Sequence, residues 1–457
     1  MTAIITPHPS SYRDPSGFIF EKERILYRQV NLSFKDHFDH FIQSGCYKHL
    51  VERGLLVPHE TINGNFSGDK NCYLTLRPER VPFISYPYEW TFDMLKDAAL
   101  LTLQLVRESL QFGIILKDAT PYNIQWLRSR LTFIDTLSFE KYEEVPWIAY
   151  RQFCECFLGP LLLMHYSKKP LQQLQLAWPD GIPLEITRSL LPKRTRFSLH
   201  IYLHIHLHAK MASKKKTDAI QVPHFSRQKL LNIISSLENL VSGLHLPAGQ
   251  TTWSGYYKEA GQRDGYLEEK KQIIAEWLDQ LTNISTAVDL GANEGAFSQL
   301  AASKNIRVLA SDADAGCINH LYTWIKSGNE KNIQPLITDL SNPGPANGVN
   351  NEERSSFISR VKADLVMALA LVHHLAIGKN IPFNKIASLF AMLGRITIVE
   401  YVPKTDKKIV QMLAGKKDVY ENYSEDHFVD AFTAYFEIIE RKPVKNSERI
   451  LFLLKRK

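Results

Sequence analysis

Two acidic residues, Asp289 and Asp312, stand at the ends of apolar runs and are spaced for holding a nucleoside. Ala287-Val288-Asp289-Leu290-Gly291-Ala292-Asn293-Glu294-Gly295-Ala296-Phe297 reads as a buried strand entering a glycine turn that opens a helix. Gly291 and Gly295 remove side chains where the backbone must turn tightly or meet a ligand, and Phe297, Leu300 and Ala301 begin a helical apolar stripe. A ligand on such a unit sits at the carboxyl end of the strand. The glycines do not have the G-x-G-x-x-G spacing that brings a pyrophosphate to a helix N-terminus, and Asp289 would repel a pyrophosphate. An acid at this point suits a ligand with a cationic amino-acid end; the plainer alternative is an ordinary strand, turn and helix. Ile306 to Asp312 reads as a second strand whose terminal carboxylate can hydrogen-bond both hydroxyls of a ribose, with Asp314 a nearby competitor.

The elements that must position these residues follow in order. A helix over Gly316 to Lys326 leads to a third strand, Ile333 to Leu340, that also ends near an acid, Asp339. Ala363 to Leu369 is a fourth strand entering the turn Ala370-Leu371-Val372-His373-His374-Leu375. Arg395 to Glu400 is a fifth, and Phe436 to Ile439 with Arg449 to Leu454 form a closing hairpin. Strands alternating with helices predict an α/β Rossmann-like domain with a doubly wound, mostly parallel sheet.

The pattern Asp289-x-Gly291-x-x-x-Gly295 resembles motif I of class I S-adenosylmethionine-dependent methyltransferases, and the turn after the fourth strand is similar to their motif IV. Trp253-Ser254-Gly255-Tyr256-Tyr257, Ala370 to Leu375, Glu400-Tyr401-Val402-Pro403-Lys404 and Lys417-Asp418-Val419-Tyr420 narrow the likeness to the nodulation host-specificity (NoeA-like) methyltransferase family. The resemblance implies S-adenosyl-L-methionine as methyl donor. It places donor contacts at Asp289, Gly291, Asn293, Gly295, Asp312, Ala370 and Tyr257, with Asp339 beside the adenine amino group and Tyr256 and Tyr257 as a cap. The sulfonium is already activated, so the protein has to align nucleophile and methyl and remove a proton where the acceptor needs it. His373 or His374 is the candidate general base or acceptor contact, since imidazole titrates near neutral pH, and Glu400 the candidate for orienting the acceptor, a hydroxyl of a small molecule or glycan.

The first half carries a second constellation. A helix-patterned segment from Thr91 to Phe112 runs into Gly113 to Asn123, and Phe133-Ile134-Asp135 follows a short hairpin. Asp118-x-x-x-x-Asn123 with Asp135 resembles the catalytic loop and metal-binding aspartate of protein kinases and aminoglycoside-type phosphotransferases. In that chemistry the first acid orients an acceptor hydroxyl while the Asn and second acid hold magnesium against nucleotide phosphates. Phe83-Ile84-Ser85-Tyr86-Pro87 is strand-like and stands where a hinge would, and Phe18 to Val30 looks like a two-stranded hairpin. The departures are that no G-x-G-x-x-G precedes an early strand, no third-strand lysine stands out, Lys117 replaces the usual His, and Thr136-Leu137 replaces Phe-Gly. The expectation is an α+β kinase-like domain that has lost phosphotransfer. A Mg-ATP-dependent phosphotransferase half, making the chain bifunctional, and a noncatalytic binding scaffold are the alternatives.

At 457 residues with 44% hydrophobic content the chain is long enough for several cores. The expected division is 1–190 kinase-like, 191–250 a helical, histidine-rich connection, and 251–457 the methyltransferase domain. A net charge of +7 over this length is mild, and Lys214-Lys215-Lys216 and Lys455-Arg456-Lys457 are too short to signal nucleic acid. Five cysteines in no metal spacing point to a reducing interior rather than a disulfide framework. No signal-like run opens the chain, and Phe157 to Tyr166 is too short to span a bilayer, so a cytoplasmic location is expected. His200, His204, His206 and His208 would share one face of a strand as metal ligands. No acid or cysteine flanks them, and the run is equally compatible with a helix that disperses them. Oligomeric state is not legible.

Overall fold

The computed structural model describes residues 5–212, 223–247, 265–328, 330–414 and 419–457. Tyr256 and Tyr257, the lysines 214–216 and the pair Lys417-Asp418 lie outside the described residues. The chain divides into two compact units: residues 1–247 with 346–354, and residues 248–345 with 355–457. Residues 191–247 are therefore part of the first unit rather than a separate connection.

The first unit opens with the hairpin β1 (Gly17–Lys22) and β2 (Ile25–Asn31). Its two turn residues, Glu23 and Arg24, are both left-handed, the backbone that matches the twist of a tight hairpin. With β3 (His59–Ile62) and β4 (Cys72–Pro78) they form an antiparallel sheet of order β1-β2-β4-β3. The helix Phe92–Ser109 is capped by Thr91, whose hydroxyl accepts the Met94 N–H at 3.2 Å, and buries Met94, Leu95, Ala98, Leu101 and Leu105 as its spacing predicts. After it come β5 (Ile114–Leu116), the hairpin of β6 (Ile124–Leu127) and β7 (Arg130–Phe133), and β8 (Phe139–Lys141), which pairs with β5.

One reading of this half changes, and one left open is decided. Phe83 to Pro87 is not a strand: the Ser85 N–H and C=O are both taken by the Gln125 side-chain amide, at 2.9 and 3.0 Å, and Pro87 starts a 3-10 turn. A backbone satisfied by a side chain has no need of a sheet partner. The histidine run is helical, an α-turn continuing as a π-helix over Tyr202–Leu207, so the four rings do not share a face. His200 and His204 bond Ser236, and His206 bonds Thr195. Among the described residues no group of three His, Cys, Asp or Glu could hold a metal.

The second unit is a seven-stranded mixed sheet flanked by helices. Its strands are β9 (Thr286–Leu290), β10 (Arg307–Asp312), β11 (Ile333–Ile337), β12 (Ala363–Ala368), β13 (Gly394–Tyr401), β14 (Phe436–Pro443) and β15 (Ile450–Arg456). They lie in the order β11-β10-β9-β12-β13-β15-β14. The first five are parallel, and β15 inserts antiparallel between β13 and β14, giving the closing hairpin expected from the sequence. A parallel sheet covered on both faces needs continuous apolar strands, which is why Ala287 to Leu290, including Asp289, and all of β11 are buried. The order reverses beside β9, the place where α/β sheets open a crevice.

One buried charge network ties this sheet to the helix Tyr266–Gln280. Tyr266 and Lys270 are one helical turn apart and face the same way. Glu400, fully buried at the end of β13, accepts from the Tyr266 hydroxyl at 2.6 Å and the Lys270 ammonium at 2.5 Å. Arg449, just before β15, donates to the Tyr266 oxygen at 2.9 Å and lies 3.4 Å from Glu400. Its other nitrogens grip Asp406 at 2.8 and 3.1 Å. Burial alone would raise the Glu400 carboxyl, but Lys270 and Arg449 outweigh it and hold it down at about 2. Removing that charge strands two buried cations. Glu400→Ala is expected to destabilise the second unit by roughly 3–5 kcal/mol in urea unfolding, the usual cost of breaking a buried pair; a change below ~1 kcal/mol would show that the network is dispensable.

Candidate active site

The carboxyl ends of β9, β10, β11 and β12 enclose a cavity of about 210 Å³ in the second unit. Its wall includes Asp289, Gly291, Asn293, Asp312, Asp339, Ala370 and His374. Six of the eight residues expected to contact the donor are thus brought together. Gly295 is not in the wall and Tyr257 lies outside the described residues.

The glycine turn shapes the near side. Gly291 is left-handed at φ +73°, and its N–H and that of Ala292 both donate to the Ser311 carbonyl, at 2.8 and 3.0 Å, fastening the turn to β10. A Cβ on Gly291 would press to 3.2 Å on Leu371 across the cavity. Gly295, at φ +82°, starts the helix Ala296–Ala302, and a Cβ there would meet the Leu321 side chain at 2.7 Å. Its role is close helix packing, one step removed from the ligand.

Each acid has part of its hydrogen-bonding capacity used locally and part left over. Asp289 is buried and accepts from the Ser298 hydroxyl at 2.6 Å. Burial, with the Asp312 charge nearby, pushes its carboxyl up to about 6 against the opposing pull of Ser298 and Lys270. The two oxygens of Asp312 take the N–H groups of Asn293 and Asp314, each at 2.8 Å, and the Ala313 N–H bonds the same carboxylate, so backbone aims it. Asp314, the competitor, is occupied at a helix N-terminus, accepting from Gly316 and Cys317 at 2.9 and 3.1 Å. Asp339 accepts from the backbone and hydroxyl of Ser341 at 2.9 and 2.6 Å and stands 3.6 Å from Lys379. Burial would raise it, but those partners hold it below the usual carboxylate range.

Lys270 was not apparent from the sequence. It lies in the helix Tyr266–Gln280, within the charged run Glu268-Glu269-Lys270-Lys271. In the fold its ammonium reaches the cavity wall, 4.9 Å over the Phe297 ring, while remaining 1% exposed. Glu400 pairs with it from behind and is not part of the wall, so the acid expected to orient an acceptor instead holds the lysine in place.

The two histidines divide. Ala370 is left-handed at φ 53° without being glycine, a strained backbone of the kind found beside ligands. The turn it begins sends His374 to the cavity wall and His373 into the interior, their ring centres 4.0 Å apart. Burial, then the charges of Arg449 and Lys408, push His374 down to about 4, so its imidazole is neutral at physiological pH. His373 is held well below its ordinary value by burial and by His374 and Arg449, and its Nδ1 has no hydrogen-bond partner.

The acids of the first unit are also brought together but are spent internally. Asp118 accepts from Asn123 Nδ2 at 3.0 Å, Gln152 Nε2 at 2.7 Å and the Thr120 N–H at 3.2 Å. Asp135 accepts from the Leu137 N–H at 3.0 Å and the Ser138 hydroxyl at 2.5 Å, and its Oδ1 is 2.6 Å from Arg28 of β2. Arg28 reaches Asp14 as well, at 3.2 Å. A guanidinium therefore sits on the carboxylate that would hold magnesium, and Lys117 is turned to Ser16 at 2.6 Å. No described helix is long and apolar enough to cross a membrane.

No protein-family model matches the chain. Among solved structures it is similar to magnesium protoporphyrin IX methyltransferase of Synechocystis PCC 6803 with bound S-adenosylhomocysteine (16% identity, 46% of this chain, 90% of that one, TM-score 0.32). It is also similar to WbdD in complex with a kinase inhibitor (18% identity, 48% and 47% of the two chains, TM-score 0.31). The N-methyltransferase NodS of Bradyrhizobium japonicum WM9 follows at 10% identity, 42% and 97% coverage and a TM-score of 0.31. With scores this low, these likenesses decide nothing, and the strand order stands on its own. The decisive relation is in sequence: the chain is 32% identical to the nodulation protein NoeA of Rhizobium meliloti (strain 1021) over 463 aligned residues, covering 98% of this chain and 95% of that protein. An identity of that size across nearly the whole of both chains shows that the chain belongs to the nodulation protein NoeA family.

Proposed function

We propose that the chain is an S-adenosylmethionine-dependent methyltransferase whose donor lies in the cavity at the ends of β9 to β12, and whose acceptor is a hydroxyl of a small molecule or glycan. The observation that carries this reading is the presence of opposite charges in one wall, Lys270 and Asp289, beside the backbone-aimed carboxylate of Asp312. An amino-acid zwitterion requires an anion and a cation side by side, and a ribose requires a fixed acceptor; the wall supplies both.

The donor supplies a methyl group already activated on sulfur. The chain's residues bind, orient and deprotonate. Asp289 takes the ammonium, Lys270 the carboxylate, Asp312 the ribose hydroxyls and Asp339 the adenine edge. His374, neutral and at the wall, accepts the acceptor hydroxyl's proton, and His373 packs behind it as a positioning residue. Leu369, Leu371 and Leu375 line the same side and exclude water.

The first unit is read as a kinase-like module without phosphotransfer. Its sheet, long helix, Asp118–Asn123 loop and β6–β7 hairpin follow that order, while the Arg28 bond to Asp135 takes the place of a metal. Mg-ATP is therefore not assigned to it.

Titration calorimetry with S-adenosylhomocysteine, which binds without turning over, tests the donor site. Wild type is expected to bind and Asp289→Ala to lose at least about a hundredfold in affinity, the order expected when a buried charge loses its partner; equal binding by the two proteins would remove Asp289 from the site.

The same titration has a pH signature. Asp289 ionises near 6 in the free protein, and the ligand's ammonium favours the ionised form, so binding releases a proton below that pH. Affinity is expected to be level above about pH 7 and to weaken by up to roughly tenfold per unit below 6. A flat profile from pH 5 to 8 would mean that Asp289 does not meet a cation.

A further inference from the structure

Residues 346–354 lie in sequence between β11 and the helix Phe357–Arg360 of the second unit, yet they fold as part of the first. The excursion has a closed neck, where the Phe357 N–H donates to the Gly344 carbonyl at 2.9 Å. Its tip is a narrow bridge in which Asn347 and Arg354 exchange backbone hydrogen bonds at 3.0 and 3.2 Å. Gly348 is left-handed, and a Cβ there would run into Glu353, so the turn folds this glutamate inward.

Glu353 is 8% exposed and is held by the N-terminal segment. Its Oε1 accepts from the Tyr12 hydroxyl at 2.7 Å and from Arg13 Nε at 2.6 Å. That segment is itself anchored: the His8 N–H donates to the Ile19 carbonyl at 2.6 Å, Ser11 Oγ accepts the Ile19 N–H at 2.8 Å, and Asp14 pairs with Arg28. Arg354 adds a second hold, its guanidinium 3.8 Å over the Tyr122 ring. On the other side of the neck, the connection to the cavity is short and ordered. Thr338, Asp339 and Leu340 are wall residues, and the Asn342 N–H donates back to the Asp339 carbonyl at 2.9 Å.

We propose that Tyr12 and Arg13, by holding Glu353, position the wall Thr338–Leu340 of the donor cavity. The proposal rests on the donor reading above for its consequence but not for its mechanism. A loop released at its tip regains conformations, and the wall continuous with it loses that end restraint while keeping its own bonds, Thr338 to Asp312 and Ser341 to Asp339. Tyr12, Arg13 and Glu353 touch no ligand, so they are positioning residues.

Glu353→Ala, Arg13→Ala and the double variant of the full chain separate this from a merely structural contact, Arg13 being a surface side chain whose loss leaves folding intact. Hydrogen exchange of peptides covering residues 336–345 is expected to quicken in each variant, with other strands of the second unit unchanged and no further change in the double variant. Affinity for S-adenosylhomocysteine and for adenosine is expected to weaken by the same factor, about fivefold, a common size of coupling between separate sites. Unchanged exchange at 336–345 in Arg13→Ala and Glu353→Ala would overturn the proposal, whether or not the ligand binds. Failure of wild type to bind either ligand would instead overturn the donor reading and leave exchange to decide the clamp.

Discussion

A cation in the wall of a cavity has to be balanced and held in place, and in the second unit Glu400 does this for Lys270. The pair is out of water on every side, with Tyr266, Arg449 and Asp406 completing the hydrogen bonds that a buried pair needs. Because its members come from the helix before β9, the end of β13 and the approach to β15, the same bonds close the sheet around the site. Their charges also reach the histidines: Arg449 contributes to holding both His373 and His374 uncharged. One electrostatic cluster thereby holds the cation of the cavity wall and disfavours the protonated form of both histidines.

The two units use similar residues to opposite effect. In the second, the partners of Asp312 are backbone N–H groups, and the residue stands in the cavity wall. In the first, side chains consume the acids: Asn123 and Gln152 on Asp118, Arg28 and Ser138 on Asp135. A carboxylate aimed by backbone stays available to a ligand, whereas one saturated by side chains is part of the architecture.

The parts legible in the sequence are those set by short-range pattern. The glycine turn after β9, the acids ending β10 and following β11, and the β14–β15 hairpin each declare themselves within about a dozen residues, because periodicity and turn chemistry are local. What misled or stayed hidden depended on partners far along the chain. Phe83 to Pro87 has strand composition, but Gln125 takes its backbone. Glu400 reads as a site acid because it ends a strand, and nothing local marks Lys270 within its charged run; their 2.5 Å contact is long-range. Arg28, in an edge hairpin, gave no hint that it would rest on Asp135.

The sequence by itself determined the kind of sheet, the order of its main strands' signals and the set of acids at their ends, since strand burial and glycine turns leave a periodic trace. Only the tertiary structure decided which of those side chains face the cavity. His373 and His374 are neighbours in sequence, and the strained backbone at Ala370 sends one inward and the other to the wall. Likewise residues 346–354 carry no mark of belonging to the first unit, because Tyr12 and Arg13, which hold them there, are more than three hundred residues away. Orientation and long-range pairing follow from packing the whole chain, and no local pattern encodes them.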